Sequence, residues 1–315
     1  MLVLTRQQVD ALLDPDELVA ALERAQRELS AGRASMPQRT AALVEERDAL
    51  LGVMPAYVDG TLAVKLVTVF PHNTDRPTHQ AAIMVFSAES GEPLALLDGT
   101  AITAARTAAG SALATKLMAR EDSGTLAILG TGVQARSHAR ALARVRDFRE
   151  IRVAGRDPGR TRALADEVGA VACASWEEAL EGADVVAATT HATEPVVRRE
   201  WLAAGTHVNS IGLNPHGHEV DEKTVRDALV VVESRAAALA PFPTGAPELA
   251  GLDPQEIHAE LGELVSGARP GRTAADQLTL YKSVGVAVQD VAAAALVLAA
   301  AQRSSTGTEI QLEEQ

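Results

Sequence analysis

Apolar positions along the chain change their period twice. Between residues 15 and 30 they recur at helical spacing, at Leu18, Leu22, Ala25 and Leu29. Asp14 stands as an N-cap before them, Pro15 takes the first helical position, and Asp16 and Glu17 complement the helix dipole. Gly32 is a stop signal. From about 40 to 97 short apolar runs take over: Ala41–Val44, Leu50–Pro55, Leu62–Phe70, Ala81–Ser87 and Leu94–Leu97. Turn signals at Asp59-Gly60, Pro71-His72-Asn73 and Ser90-Gly91-Glu92-Pro93 separate them. Runs this closely spaced predict an antiparallel sheet, and the Ala-rich stretch Thr100–Arg120 predicts a long helix.

From residue 124 the texture alternates between strand and helix. Strands are expected over 125–129, 151–154, 170–173, 184–188, 206–211 and 229–232, which predicts an α/β doubly wound parallel sheet of Rossmann type. The proline-rich segment 240–254 reads as a loop, and a last long helix is expected over about 276–302. Within it the apolar stretch Val284–Ala301 is broken by Gln289 and Asp290, so it reads as a buried helix rather than a membrane span. The polar tail from Arg303 is expected to be disordered. The domain division expected is 1–118 with 277–315 as an α+β domain, and 119–276 as the doubly wound domain.

Composition narrows the function classes. A net charge of −13 argues against nucleic acid or an anionic membrane surface as partner. The single cysteine, Cys173, cannot form an internal disulfide and suits a reducing compartment. Arg6 and Asp10 interrupt residues 1–13, no targeting pattern is read there, and a cytoplasmic location is expected. No histidine spacing resembles a zinc site, so no metal is expected.

The chemistry begins where the strand Leu126–Leu129 runs into Gly130-Thr131-Gly132-Val133-Gln134-Ala135. A strand, a Gly-x-Gly-x-x-Ala turn and a helix with Ala135, Ala139 and Leu142 on one stripe form a dinucleotide-binding turn. Amides at such a helix start point at the pyrophosphate. The next strand ends in Val153-Ala154-Gly155-Arg156-Asp157. An NAD enzyme usually places an acid where Gly155 stands, to hold the ribose 2′-hydroxyl. Gly155 followed by Arg156 favours a 2′-phosphate, hence NADP(H), while Asp157 keeps NAD(H) open.

Three cations stand out in the first half. Arg39 precedes the sheet, Lys65 lies inside the apolar run Leu62–Val67, and Arg106 lies inside the apolar helix Ala101–Ala109. An isolated cation in an apolar element is either snorkelling or ion-paired for structure, or it binds an anion in a cleft. Neighbouring carboxylates are scarce in sequence, which favours the anion-binding reading for Lys65 and Arg106. Arg39 alone leaves both readings open. Arginines suit a carboxylate, and a buried lysine of lowered pKa transfers protons. His79, ahead of Gln80 and an apolar run, is a candidate substrate contact, with a structural hydrogen bond as the alternative.

Taken together, several segments resemble the ornithine cyclodeaminase/mu-crystallin family, most of all its ketimine reductase branch. They are Gly52–Tyr57, Val64–Thr68, Thr78–Ala81, Leu97–Ala109, Gly130–Ala135, Ala192–Pro195, Ala259–Glu263 and Lys282–Gly285. The resemblance implies a homodimer whose substrate and dimerisation domain is built from the first part of the chain plus its last helix. It implies Arg39, Lys65 and Arg106 as the groups that meet the substrate carboxylate. It aligns Arg156 with the arginine of NADP-using members. Cyclodeaminases carry an aspartate in the loop after the Asn-x-x-Gly strand end, where this chain has Asn214. An amide hydrogen-bonds an amine or imine but cannot act as its base.

The resemblance therefore implies an NAD(P)H-dependent reductase of C=N bonds in imino acids. The substrates implied are cyclic ketimines such as Δ1-pyrroline-2-carboxylate or Δ1-piperideine-2-carboxylate, or an imine of a 2-oxo acid and an amine. Ornithine or lysine cyclodeaminase, alanine dehydrogenase and a non-enzymatic nucleotide-dependent ligand-binding protein are the alternatives.

Overall fold

The computed structural model describes residues 1–311. The chain opens with β1 (Leu2–Leu4), α1 (Arg6–Leu12) and α2 (Pro15–Ser30). The strands β2 (Thr40–Val44), β3 (Ala49–Val58), β4 (Thr61–Val69), β5 (His79–Phe86) and β6 (Pro93–Asp98) follow, and α3 (Gly99–Met118) closes this half. Next come β7 (Thr125–Leu129), α4 (Val133–Leu142), β8 (Glu150–Ala154), α5 (Pro158–Val168), β9 (Val171–Ala172), α6 (Trp176–Leu180) and β10 (Val185–Ala188). The chain continues through β11 (His207–Ser210), α7 (Glu222–Asp227), β12 (Leu229–Val232), α8 (Arg235–Ala238), β13 (Ala259–Glu260) and α9 (Leu261–Val265). It ends with β14 (Thr279–Lys282), α10 (Ala287–Ser304) and β15 (Thr308–Glu309). Two compact units result: Met1–Arg106 with the chain from Val286 on, and Thr107–Gly285.

The first unit is a mixed sheet in the order β15-β1-β6-β5-β4-β3-β2. Strands β2 to β6 form an antiparallel meander, as the closely spaced runs predict. Alternation sends one set of side chains to each face. On the inner face Met54, Lys65, Ile83 and Leu97 form one cross-strand row, all buried. Helix α10 lies against β3, β4 and β5 and against α2. Four of its alanines, Ala287, Ala293, Ala294 and Ala301, are buried and small enough to let it approach closely. Asp14 caps α2 as the sequence predicts, accepting from the amides of Asp16 and Glu17 at 2.9 Å. The outer face is also apolar: Val53 and Leu66 pair across it, then Pro55, Val64, Met84 and Leu96, then Tyr57 and Leu62. Leu66 is 40% exposed and Tyr57 41%.

The second unit is an all-parallel sheet in the order β13-β12-β14-β11-β10-β7-β8-β9. Every residue of β10, β11 and β14 is buried, as a sheet covered on both faces requires. The strand order reverses at β7, with β8 on one side and β10 on the other, which is the switch point where doubly wound sheets bind ligands.

Two expectations need correction. The helix expected over 276–302 begins only at Ala287; Thr279–Lys282 is a strand in the middle of the sheet. Thr279, Leu280 and Tyr281 are β-branched or bulky, and Gly285, at φ +73°, ends any continuous helix. The tail from Arg303 is ordered as far as β15, which pairs antiparallel with β1. The rest of that tail, 312–315, lies outside the described residues. Sequence periodicity also gave no sign of β1 and α1, which are too short to show one.

Candidate active site

Lys65, Arg106 and Asp290 meet inside the first unit. Lys65 projects from the inner face of β4, where its cross-strand neighbours Met54 and Ile83 offer no polar partner. Its Nζ lies 2.8 Å from one oxygen of Asp290 and donates to Thr103 Oγ1 at 3.4 Å. Arg106, in α3, donates through Nε to the other Asp290 oxygen at 3.0 Å and through a terminal nitrogen to Gln289 Oε1 at 3.0 Å. All three charged residues are at most 5% exposed. Burial pushes the Lys65 ammonium down to about 7; Asp290 opposes that shift, while Arg106 and Arg39 add to it. Burial works to raise the Asp290 carboxyl, yet Arg106 and Lys65 outweigh it and hold the group below the usual range.

Arg39 comes from the segment ahead of β2, and its side chain runs over Gly52 on the inner face of β3. Gly52 pairs with Val67, two residues from Lys65, so the charge of Arg39 reaches the lysine. His79 opens β5 on the same face as Ile83, four residues along, roughly 13 Å from it. It is exposed, with Nδ1 3.1 Å from Thr78 Oγ1. The structure thus draws Lys65, Arg106 and Arg39 together and sets His79 toward the open end of the same face. The scarcity of carboxylates read from the sequence is corrected here, because Asp290 arrives from a distant helix.

The glycine turn sits between β7 and α4 in the second unit. Gly130 has φ +117°, and a Cβ there would come within 2.9 Å of the Thr189 carbonyl, so only glycine fits. A Cβ at Gly132 would meet nothing within 4 Å, which leaves the space over the first turn of α4 open. No side chain caps that helix start, and Val133 is 62% exposed. Ala135 is fully buried against the sheet. Open space, uncapped amides and close helix packing fit a pyrophosphate. Further along, a Cβ at Gly155 would lie 2.6 Å from Thr131 Cγ2 and 2.8 Å from Thr161 Oγ1, so an acidic side chain there would need both threonines to shift. Asp157 caps α5, accepting from the Arg160 amide at 2.8 Å, while Arg156 is exposed.

At the carboxyl ends of β10, β11 and β14, buried charges pin the loops. Glu219 accepts from Thr190 N at 2.6 Å, Ser210 Oγ at 2.8 Å and Gly212 N at 2.8 Å. Lys282 donates to the Gly212 carbonyl at 2.6 Å and pairs with Glu248 at 3.0 Å. Asn214 sits in the loop so held, 7% exposed. Its amide donates to the Ala192 carbonyl at 3.0 Å, and its oxygen accepts from His216 N at 3.0 Å.

With that geometry in place, relatives become informative. Residues 1–305 match the model of the ornithine cyclodeaminase/mu-crystallin family. The chain belongs to this family. It is 41% identical over 298 residues to the ketimine reductase mu-crystallin of Mus musculus, covering 91% of this chain and 93% of that protein. The solved structure of Thermococcus litoralis Δ1-pyrroline-2-carboxylate reductase, in complex with NADH and L-proline, superposes with a TM-score of 0.92 at 35% identity, covering 98% of this chain and all of that one. An archaeal alanine dehydrogenase dimer with bound NAD superposes equally well, at 32% identity and 99% coverage of both chains.

Sequence reasoning missed Asp290, Gln289, Glu219 and Lys282 as site residues. The break of the apolar run at Gln289-Asp290 was the one visible signal. The commitment of Asn214 to main-chain partners predicts that Asn214→Asp loosens its loop. A carboxylate in place of the amide donor faces the Ala192 carbonyl, a loss of about 1–3 kcal/mol. Hydrogen exchange should quicken at residues 190–192 and 213–217 while β7 and β10 stay protected.

Proposed function

We propose that this family member is an NAD(P)H-dependent reductase of C=N bonds next to a carboxylate. Its substrates are cyclic ketimines of the Δ1-pyrroline-2-carboxylate or Δ1-piperideine-2-carboxylate kind, or the imine of a 2-oxo acid with an amine. The observation that carries this reading is a buried lysine held with Arg106 on a single carboxylate inside an otherwise apolar row, with Arg39 near enough for its charge to act on the lysine. Arg39 and Arg106 grip the substrate carboxylate. Lys65 protonates the imine nitrogen and becomes a neutral amine. The bound dinucleotide supplies the hydride that reduces the carbon. His79 contacts the substrate from the open end of the face. Asn214 presents its loop to the substrate and cannot serve as a base.

Gly130, Thr131, Gly132, Val133, Gln134 and Ala135 hold the pyrophosphate. NADP(H) is the preferred cofactor: glycine rather than an acid stands at 155, Asp157 caps α5, and the exposed Arg156 is placed to meet the 2′-phosphate. The protein acts as a homodimer through the apolar outer face of the β2–β6 meander, a surface too apolar to stay wet. The dimer of the archaeal alanine dehydrogenase supports this.

NADPH consumption with a panel of cyclic ketimines tests the activity; no oxidation by any of them, or turnover only with pyruvate and ammonia, overturns it. Lys65→Met should lower kcat by about 10²–10⁴-fold. In the wild type, kcat/KM for imine reduction should fall as pH rises above about 7, because the free protein loses the Lys65 proton there. Oxidation of the product amine needs the neutral lysine and should rise over the same range. Arg156→Ala should weaken NADPH by about 2 kcal/mol, roughly 30-fold, and leave NADH nearly unchanged, as fluorescence titration reads. Leu66→Glu with Tyr57→Lys should reduce the light-scattering mass to that of one chain.

A further inference from the structure

We propose that Asp290 is the positioning residue of this site, aiming Lys65 and Arg106 and keeping the lysine in its acid form. The proposal rests on the imine-reductase reading. Asp290 lies in the first turn of α10, on a helix whose other buried residues are apolar apart from Gln289. Each of its oxygens takes one cation, Lys65 at 2.8 Å and Arg106 at 3.0 Å. Two bonds from one rigid carboxylate fix two long side chains that their apolar surroundings would leave unguided. Gln289 adds a second hold on Arg106 at 3.0 Å.

The donors left over are the ones the reaction needs. The ammonium has three; Thr103 accepts one and Asp290 lies 2.8 Å away as its ion-pair partner, which leaves at least one for a substrate nitrogen. Nε and one terminal nitrogen of Arg106 are engaged, which leaves the other for the substrate carboxylate. The charged groups that face Lys65 are Asp290 from α10, Arg106 from α3 and Arg39 from the segment before β2. Lys65 and Arg106 share this one carboxylate, so the pair carries one positive charge more than Asp290 offsets until a substrate carboxylate arrives. Without Asp290, every remaining influence on the lysine favours its neutral form, and the proton for the imine is gone before the substrate binds.

The test compares wild type, Asp290→Asn and Asp290→Glu with Δ1-piperideine-2-carboxylate and NADPH across pH. In Asp290→Asn the basic limb of kcat/KM should move down by about 1–3 pH units. Asp290→Glu should return the limb toward the wild-type pH, with a lower kcat. NADPH binding should be unchanged in all three. A rate that falls uniformly with the limb in place overturns the proposal. Asp290→Ser, which leaves room for water, replaces Asn if that variant does not fold. Failure of both neutral variants to fold while Asp290→Glu folds would make Asp290 a structural counter-ion only, which also overturns it. Calorimetry with pyrrole-2-carboxylate, which cannot be reduced, reads proton uptake by Lys65 without turnover. The pH of maximal uptake should drop in Asp290→Asn; an unmoved maximum rejects the proposal. An inactive wild type that shows the expected uptake shift would sink the reductase reading and leave Asp290 its role.

Discussion

One carboxylate buried between two cations organises the first unit. Removing charges from water costs several kcal/mol per ion, even after relaxation. Asp290, Lys65 and Arg106 bear that cost inside an apolar row where valine or leucine would stabilise the fold at least as well. Stability therefore does not account for them. Their placement also constrains the rest of the unit. Helix α10 must lie close enough to β4 for a short aspartate to reach Nζ, and the alanines of α10 make that approach possible. The inner row of Met54, Ile83 and Leu97 keeps water away from the lysine, so its charge responds to neighbours rather than to bulk solvent.

The second unit uses the backbone where the first uses side chains. Around the glycine turn the working groups are main-chain amides, and the side chains nearby matter chiefly through their size. Glycine at 130 admits a close strand, and glycine at 155 yields to Thr131 and Thr161. Buried charge returns only at the carboxyl ends of the central strands. There Lys282 pairs with Glu248, and Lys282 and Glu219 both hold Gly212 and the loop that follows it. Used in this way, charges serve as fasteners for the backbone of the loops.

Much of this was legible in the chain, because period and punctuation are local. The meander, the cap at Asp14, the alternation after residue 124 and the glycine turn all follow from neighbours in sequence. Lys65 and Arg106 stood out because a cation in an apolar run has few local explanations. Their partner did not, since Asp290 lies more than 180 positions beyond Arg106 and reads locally as a blemish in a helix. The strand Thr279–Lys282 was hidden for a related reason. Four residues beside a long apolar helix carry no period of their own, and only pairing with β11 and β12 makes them a strand. Glu219 and Lys282 were invisible because loop chemistry is set by which ends meet, not by spacing.

The order of the chain has a consequence for how the molecule comes into being. The second unit is one unbroken stretch, and all of its strands lie ahead of residue 283 in the chain. The first unit is divided around it. Its meander is made early, yet α10 comes near the end and β15 pairs with β1 across almost the whole chain. Lys65 and Arg106 are therefore made long before the counter-ion that α10 brings. Until α10 arrives, the inner face of the meander lacks the helix that lies against β3, β4 and β5. Asp290, in the first turn of that helix, comes with the side that covers the meander, so one element both closes the core and completes the charge pattern.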